Sequence, residues 1–152
     1  MQVHKVNPSP FPREWLVTNG LGGYASGTVD GPLRRRYHGL LIASLPGLGR
    51  TMMLTDLRAS LAGVELDETC LEDFGLVEGL PRWRYRAGGA VIEKRVVMPH
   101  QRNSVHVSYR CLSGGPAPLR LRPHVGFRGH EAPVTETDGG QGISGAGAGF
   151  RA

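Results

Sequence analysis

The sequence predicts a mostly β protein, an antiparallel β-sandwich of two sheets. Three observations carry that expectation. Polar and apolar residues alternate with period two in several stretches, most plainly in Arg82-Trp83-Arg84-Tyr85-Arg86. Glycine-containing turn signals recur between those stretches. No segment sustains the 3.6-residue period of an amphipathic helix. Alternation means strands with one buried and one solvated face, and closely spaced turns join such strands as antiparallel hairpins.

Taken in order, residues 1–13 carry Pro8, Pro10 and Pro12 and are expected to form an extended lead-in. Trp15-Leu16-Val17-Thr18 is apolar and partly β-branched, so it suits a strand. A glycine-rich stretch follows, closed by the turn signal Val29-Asp30-Gly31-Pro32. Residues 37–45 (YHGLLIASL) are an apolar run of strand length, and Pro46-Gly47-Leu48-Gly49 is a turn. Residues 52–66 suit strand–turn–strand with Ala62-Gly63 near the turn; a short helix over residues 54–61 is the alternative. Residues 65–72 are acidic and read as a solvated loop.

The second half is plainer. Trp83 and Tyr85 share one face of their strand, and three arginines take the other. Gly88-Gly89 signals a hairpin into the β-branched run 91–98. Residues 104–112 put Val105, Val107, Tyr109 and Cys111 on one face. Ser113-Gly114-Gly115-Pro116 is a turn, and Leu119-Arg120-Leu121-Arg122 alternates again, with Val125 and Phe127 extending that strand. From Asp138 onward glycine and alanine dominate, which reads as a linker or as a point where a domain has been cut. The expected domain therefore runs over 14–137, incomplete at its C-terminal side, with a tail at 138–152.

A chain of 152 residues is one domain's worth, and 39% hydrophobic with 20% charged residues sustains a core and excludes wholesale disorder. The net charge of +5 comes almost wholly from arginine. Such a field favours polyanions, but an arginine-rich proteome gives it to ordinary domains as well. No apolar run is long enough for a membrane helix, and the first residues lack the apolar core of a signal peptide, so a cytoplasmic protein is expected. Cys70 and Cys111 form neither a disulfide framework nor a C-x-x-C pair and read as small buried thiols. His100 with His106, and His124 with His130, lack zinc spacing. No metal and no cofactor is expected.

Gly20-Leu21-Gly22-Gly23-Tyr24-Ala25 fits G-x-G-x-x-A, and residues 22–28 fit most of a phosphate-binding loop. Both chemistries need a helix N-terminus to supply N–H groups to phosphate. Pro32 breaks any helix there, and the phosphate-reaching lysine is absent. The acids Glu65, Asp67, Glu68, Glu72 and Asp73 sit close together in a polar segment, unlike two carboxyls that face one glycosidic bond. Glu93 lies beside Lys94 and Arg95 and reads as an ion-pair partner. No serine sits in a nucleophile elbow. Residues 34–38 and 82–86 mix arginine with aromatics, as single-stranded RNA binders do, but in the second stretch the rings oppose the arginines, which disfavours nucleic acid. A sugar surface uses the same groups, and Asn19, Tyr24, Arg35, Arg36, Tyr37 and His38 supply them around glycine turns. Equally, those arginines could pair with acids while the histidine satisfies backbone carbonyls.

The whole string decides what the fragments leave open. Residues 14–28 (EWLVTNGLGGYASGT) followed by 35–41 (RRYHGLL) resemble the signature of the N-terminal domain of bacterial and archaeal glycogen debranching enzymes. Residues 81–85 (PRWRY), 92–94 (IEK) and 121–125 (LRPHV) are similar to the same domain, so the resemblance covers about 14–130. It implies a supersandwich-like β domain that precedes an α-helical toroid, and the toroid carries the acids of amylo-α-1,6-glucosidase activity in glycogen catabolism. This chain holds no such segment, so no catalytic residue is expected in it. The resemblance implies an α-glucan (glycogen or maltooligosaccharide) and the C-terminal catalytic domain as partners, and no membrane. It implies Asn19, Tyr24, Arg35, Arg36, Tyr37 and His38 as the polar surface near the substrate, with Gly20, Gly22, Gly23, Gly27 and Gly39 shaping the loops. A nucleic-acid-binding module and a purely structural packing domain are the alternatives.

Overall fold

A computed structural model describes residues 13–132. The expected tail at 138–152 and nearly all of the expected lead-in at 1–13 lie outside the described residues. Ten strands make two antiparallel sheets, and the described residues contain no helix. None therefore offers a helix long and apolar enough to cross a membrane. The expected sandwich is the one observed.

The first sheet has the order β1 (Glu14–Thr18), β2 (Tyr24–Thr28), β3 (Gly39–Leu45), β4 (Gly49–Leu61), β10 (Leu119–Gly129), and the short β5 (Val64–Glu65) pairs with β4. The second has the order β6 (Leu71–Val77), β7 (Leu80–Ala87), β8 (Ala90–Val97), β9 (His106–Ser113). In the first hairpin Val17 pairs with Ala25, and both turn inward; Thr18 pairs with Tyr24 on the outer face. β4 is long enough to pair with β3 along its first half and with β10 along its other edge.

The core forms where the inner faces meet. Val17, Ala25, Val29 and Leu40 from the first sheet pack against Trp83, Tyr85, Val96 and Met98 from the second. Trp83 sits at the centre. Its ring meets Trp15 edge-on at 5.3 Å and Phe74 at 5.1 Å, and its Nε1–H donates to the Val29 carbonyl at 3.0 Å. Gly27 lies under the Trp15 indole, where a Cβ would come 3.1 Å from Nε1. A smaller cluster of Leu61, Ala87, Ala90 and Ile92 fills the far end.

Several expectations need correction. Residues 54–61 belong to one strand, so the helical alternative is not realised. The acidic segment is only partly a loop, because Glu72 and Asp73 lie on β6. That strand escapes a period-two reading because its register slips between Leu71 and Asp73. The two thiols are not both buried: Cys70 is half-buried and Cys111 is exposed. Cys111 stands near the end of β9, an edge strand whose last four residues are exposed. Gly27 and Gly39 lie within strands rather than loops.

The packing of Trp83 sets a stability prediction. Trp83→Phe should lower the unfolding free energy by about 2 kcal/mol, from lost volume and an unpaired Val29 carbonyl. Leu76→Ala, at a position 65% exposed, should change it by less than about 0.5 kcal/mol. Urea denaturation of the two variants checks the contrast.

Candidate functional site: a buried latch beneath an aromatic groove

The glycine-rich turn between β1 and β2 is organised by Asn19, which is wholly buried. Its Oδ1 accepts from the N–H groups of Leu21 (2.9 Å) and Gly23 (3.1 Å). Its Nδ2 donates to the Arg102 carbonyl (2.9 Å) and to Asn103 Oδ1 (3.1 Å). Its carbonyl accepts from the Gln101 N–H at 2.7 Å. One side chain thus closes the turn and ties it to residues 101–103. An asparagine is apt because its amide carries both a double acceptor and a double donor. Gly23 is required beside it, since a Cβ there would come 2.6 Å from Asn19 Nδ2 and 2.8 Å from the Ile42 carbonyl oxygen. Gly20 and Gly22 take φ of +78° and +95°, the left-handed region that glycine enters freely.

His38 closes the loop before β3 and is also buried. Its Nδ1 accepts from the N–H groups of Arg34 (3.1 Å) and Arg35 (3.3 Å). It therefore caps N–H groups, whereas the structural alternative weighed from the sequence had it serving carbonyls. Its Nε2 faces the Glu14 carboxylate at 3.7 Å. Burial lowers its pKa from 6.5, against the opposing pull of Glu14 and with help from the Arg35 charge. Arg35 itself pairs with Glu14 at 2.5 Å, and that bond holds the Glu14 carboxyl below its usual range.

Over these supports lies an open groove of about 640 Å³ on the outer face of the first sheet. Leu16, Tyr24, Arg35, Tyr37, Arg50 and Glu14 line it. Leu16 and Tyr37 are 60% and 40% exposed. The Tyr24 hydroxyl donates to the Tyr37 carbonyl at 3.0 Å, and burial raises its pKa. The His130 ring packs at 5.6 Å from Tyr37 and at 6.3 Å, edge-on, from Tyr24. Arg36 donates to the Tyr37 hydroxyl at 2.6 Å and lies 4.8 Å from that ring's centre. Arg50 reaches back over Tyr24 and donates to the Gly22 carbonyl at 2.8 Å. Arg128 donates to the Arg36 carbonyl at 2.9 Å and fastens the arginine turn to β10.

Of the six residues expected at a polar surface, Tyr24, Arg35, Tyr37 and His38 line this groove, and Arg36 adjoins it through Tyr37. His38 lines it from a buried position. Asn19 lies below, with its amide fully engaged. Sequence reasoning missed Leu16, Arg50, Arg128 and His130. Leu16 lies in the 14–28 string but reads there only as a strand residue, and no motif marks the other three; Arg50 and His130 arrive through the β4–β10 pairing, where His130 N–H donates to the Arg50 carbonyl.

The other arginine–aromatic stretch offers a different surface. Arg82 pairs with Asp73 at 2.5 Å, Arg95 with Glu93 at 2.7 Å, and Arg86 with Glu72. The outer face of the second sheet carries these ion pairs, with Arg82 opposite Arg95 and Arg84 opposite Glu93, and Trp83 and Tyr85 are turned into the core.

The geometry separates structural from surface roles. Asn19→Ala should cost at least about 2 kcal/mol, because two N–H groups and a carbonyl lose their partner. Tyr37→Ala should leave stability within about 0.5 kcal/mol. Thermal melts of the two variants check this. His38 adds a pH dependence. Its pKa is lower folded than unfolded, so its contribution is complete above about pH 6.5 and is lost as pH falls through the folded value. In His38→Asn, which keeps an acceptor, the loss of stability between about pH 6.5 and pH 5 should shrink relative to the parent.

A family model described as glycogen debranching enzyme N terminal matches residues 13–146. No curated protein and no solved structure matches the chain. The match takes in the latch, the arginine turn, the groove and both sheets, from β1 through β10. The chain belongs to the glycogen debranching enzyme N-terminal family.

Proposed function

We propose that this chain is the non-catalytic, α-glucan-binding domain of a cytoplasmic glycogen debranching enzyme, which holds the polymer beside a separate catalytic domain. The observation that carries this reading is the outer groove. It joins a partly exposed aromatic cluster (Tyr37, with Tyr24 and His130 behind it) to arginine donors in an open trough. Aromatic faces pack on the apolar side of a pyranose ring, and guanidinium N–H groups donate to its hydroxyls. Tyr37 is the stacking residue of this reading, with Arg36 and Arg50 as donors. Asn19 and His38 act beneath it, by fixing the two turns that present Tyr24 and Tyr37.

The purely structural reading also has an observation in its favour. Arg35 and His38 spend their polar groups within the chain, on Glu14 and on backbone N–H groups. Under that reading the groove is a seat for the catalytic domain.

Native affinity electrophoresis through gels with and without glycogen, at low and high salt, tests the proposal. Retardation should persist at high salt, because a neutral polymer releases no counterions. Tyr37→Ala should weaken it by about tenfold or more, the equivalent of ~1.4 kcal/mol of ring contact. Unchanged mobility in glycogen would sink the binding proposal, and retardation that vanishes with salt would point to a polyanion.

A further inference from the structure

A second cavity lies inside the sandwich. It measures about 790 Å³ and reaches from the loop after β2, across the inner faces of both sheets, to exposed residues of β10 and the acidic turn. That volume is within the range of about 300–1,000 Å³ typical of small-molecule sites. Its walls include Trp15, Leu40 and Leu57 from the first sheet and Trp83, Tyr85 and Tyr109 from the second.

Lys94 projects into it. The residue pairs across the sheet with Trp83 and Tyr109, so it shares their inward face. Its Nζ lies 4.8 Å from the centre of the Trp83 ring. Among the described residues no carboxylate comes within ion-pair distance of it. Burial pushes its pKa down to about 8. The chain has two lysines, Lys5 and Lys94, against sixteen arginines, so a compact amine here stands out from the composition. Two further groups share the cavity. The Tyr109 hydroxyl and Asp30 Oδ1 are buried without a hydrogen-bond partner among the described residues, while the other Asp30 oxygen accepts from Arg34 at 2.7 Å. Buried polar atoms left unpaired are costly, and a site that collects a donor amine, a hydroxyl and a carboxylate oxygen is built to engage something.

The charges select the class of ligand. An anion would suit Lys94 alone, but Asp30, Asp56, Glu65, Asp67 and Glu68 also line the cavity, against Arg58, Lys94 and Arg122. Arg122 is already paired with Glu65, and Arg58 lies 3.6 Å from Asp56. Arg34 pairs with Asp30 at 2.7 Å, so Asp67 and Glu68 are the lining carboxylates without an ion-pair partner among the described residues, and they oppose a phosphate or carboxylate guest. A hydroxyl both donates and accepts, so one ligand rich in hydroxyls can satisfy Lys94, Tyr109 and Asp30 together. We propose that the inter-sheet cavity is a binding site for a neutral polyhydroxylated molecule of sugar size, held by Lys94, Tyr109 and Asp30. This site is separate from the outer groove and does not rest on the function proposed for it.

The two tryptophans allow a direct test. Trp83 lines the inner cavity and not the groove, whereas Trp15 lines both. The indole N–H signals are followed by NMR as D-glucose, maltotriose or inorganic phosphate is added to the full chain. Either sugar should shift the Trp83 signal in the parent and in Tyr37→Ala. Lys94→Met and Tyr109→Phe, which keep the packing volume, should each weaken that response by about tenfold or more. A Trp83 signal that neither sugar moves overturns the proposal, and leaves the groove untouched if maltotriose still moves Trp15. A response lost in Tyr37→Ala, or unaffected in both cavity variants, overturns it as well. Phosphate moving Trp83 where the sugars do not would assign the cavity to anions instead.

Discussion

Everything in this fold is arranged around the Trp83 indole. A sandwich of two sheets has no covalent tie between its layers, so the layers stay in register only through side chains that cross the gap. Trp83 makes three contacts, two of which cross the gap and one of which lies within its own sheet. Its N–H donates to Val29 in the turn after β2, its edge meets Trp15 on β1, and its face carries the Lys94 ammonium. The first contact fixes where the chain leaves β2, and hence where the arginine turn begins. The second places the Trp15 indole over Gly27, where a Cβ would be tight, 3.1 Å from Nε1. The third holds a charge at the wall of an internal cavity. Core packing, motif placement and the inner cavity therefore share one residue.

The fold was legible where alternation was clean. Trp83 and Tyr85 read as core from their opposition to three arginines, and they are core. The Gly88-Gly89 turn and the strands on either side follow from the same reading. Legibility failed where one residue breaks the period. The slip between Leu71 and Asp73 hides β6 among acids. Cys111 keeps the parity of Val107 and Tyr109 but lies in the exposed last half of the edge strand β9. Parity says which way a side chain points, and only the tertiary arrangement says what it meets.

The site was legible in composition and not in geometry. Asparagine, histidine and arginine cap turns with the same atoms that bind sugars, so residue type cannot separate the two uses. Asn19 spends its whole amide on the turn and on residues 101–103, more than eighty positions away. No local pattern predicts a partner at that distance. Arg50 and His130 were invisible for the same reason, since β-pairing between distant strands brings them to Tyr24. Lys94 reads in the sequence only as one of two bases beside Glu93, but Glu93 pairs with Arg95 and Lys94 shares the inward face of Trp83.

The motif that shows the family thus divides between inside and outside. Asn19, Gly23 and His38 face inward and set turn geometry; Tyr24, Arg36 and Tyr37 face outward on the turns so formed. The division is coupled, because the Tyr24 hydroxyl bonds the carbonyl of Tyr37, the residue that directly precedes His38. A change at the buried histidine must therefore move the exposed ring. Rotating a turn by even a small angle displaces a long aromatic side chain at its tip, and stacking depends on ring position more steeply than hydrogen bonding to a flexible guanidinium does. Substitutions at the inward positions should then act on the groove through the placement of Tyr37 even when the sandwich remains folded. The latch and the groove are one mechanical unit, which joins the two strings of the motif, 14–28 and 35–41, through the Tyr24–Tyr37 bond.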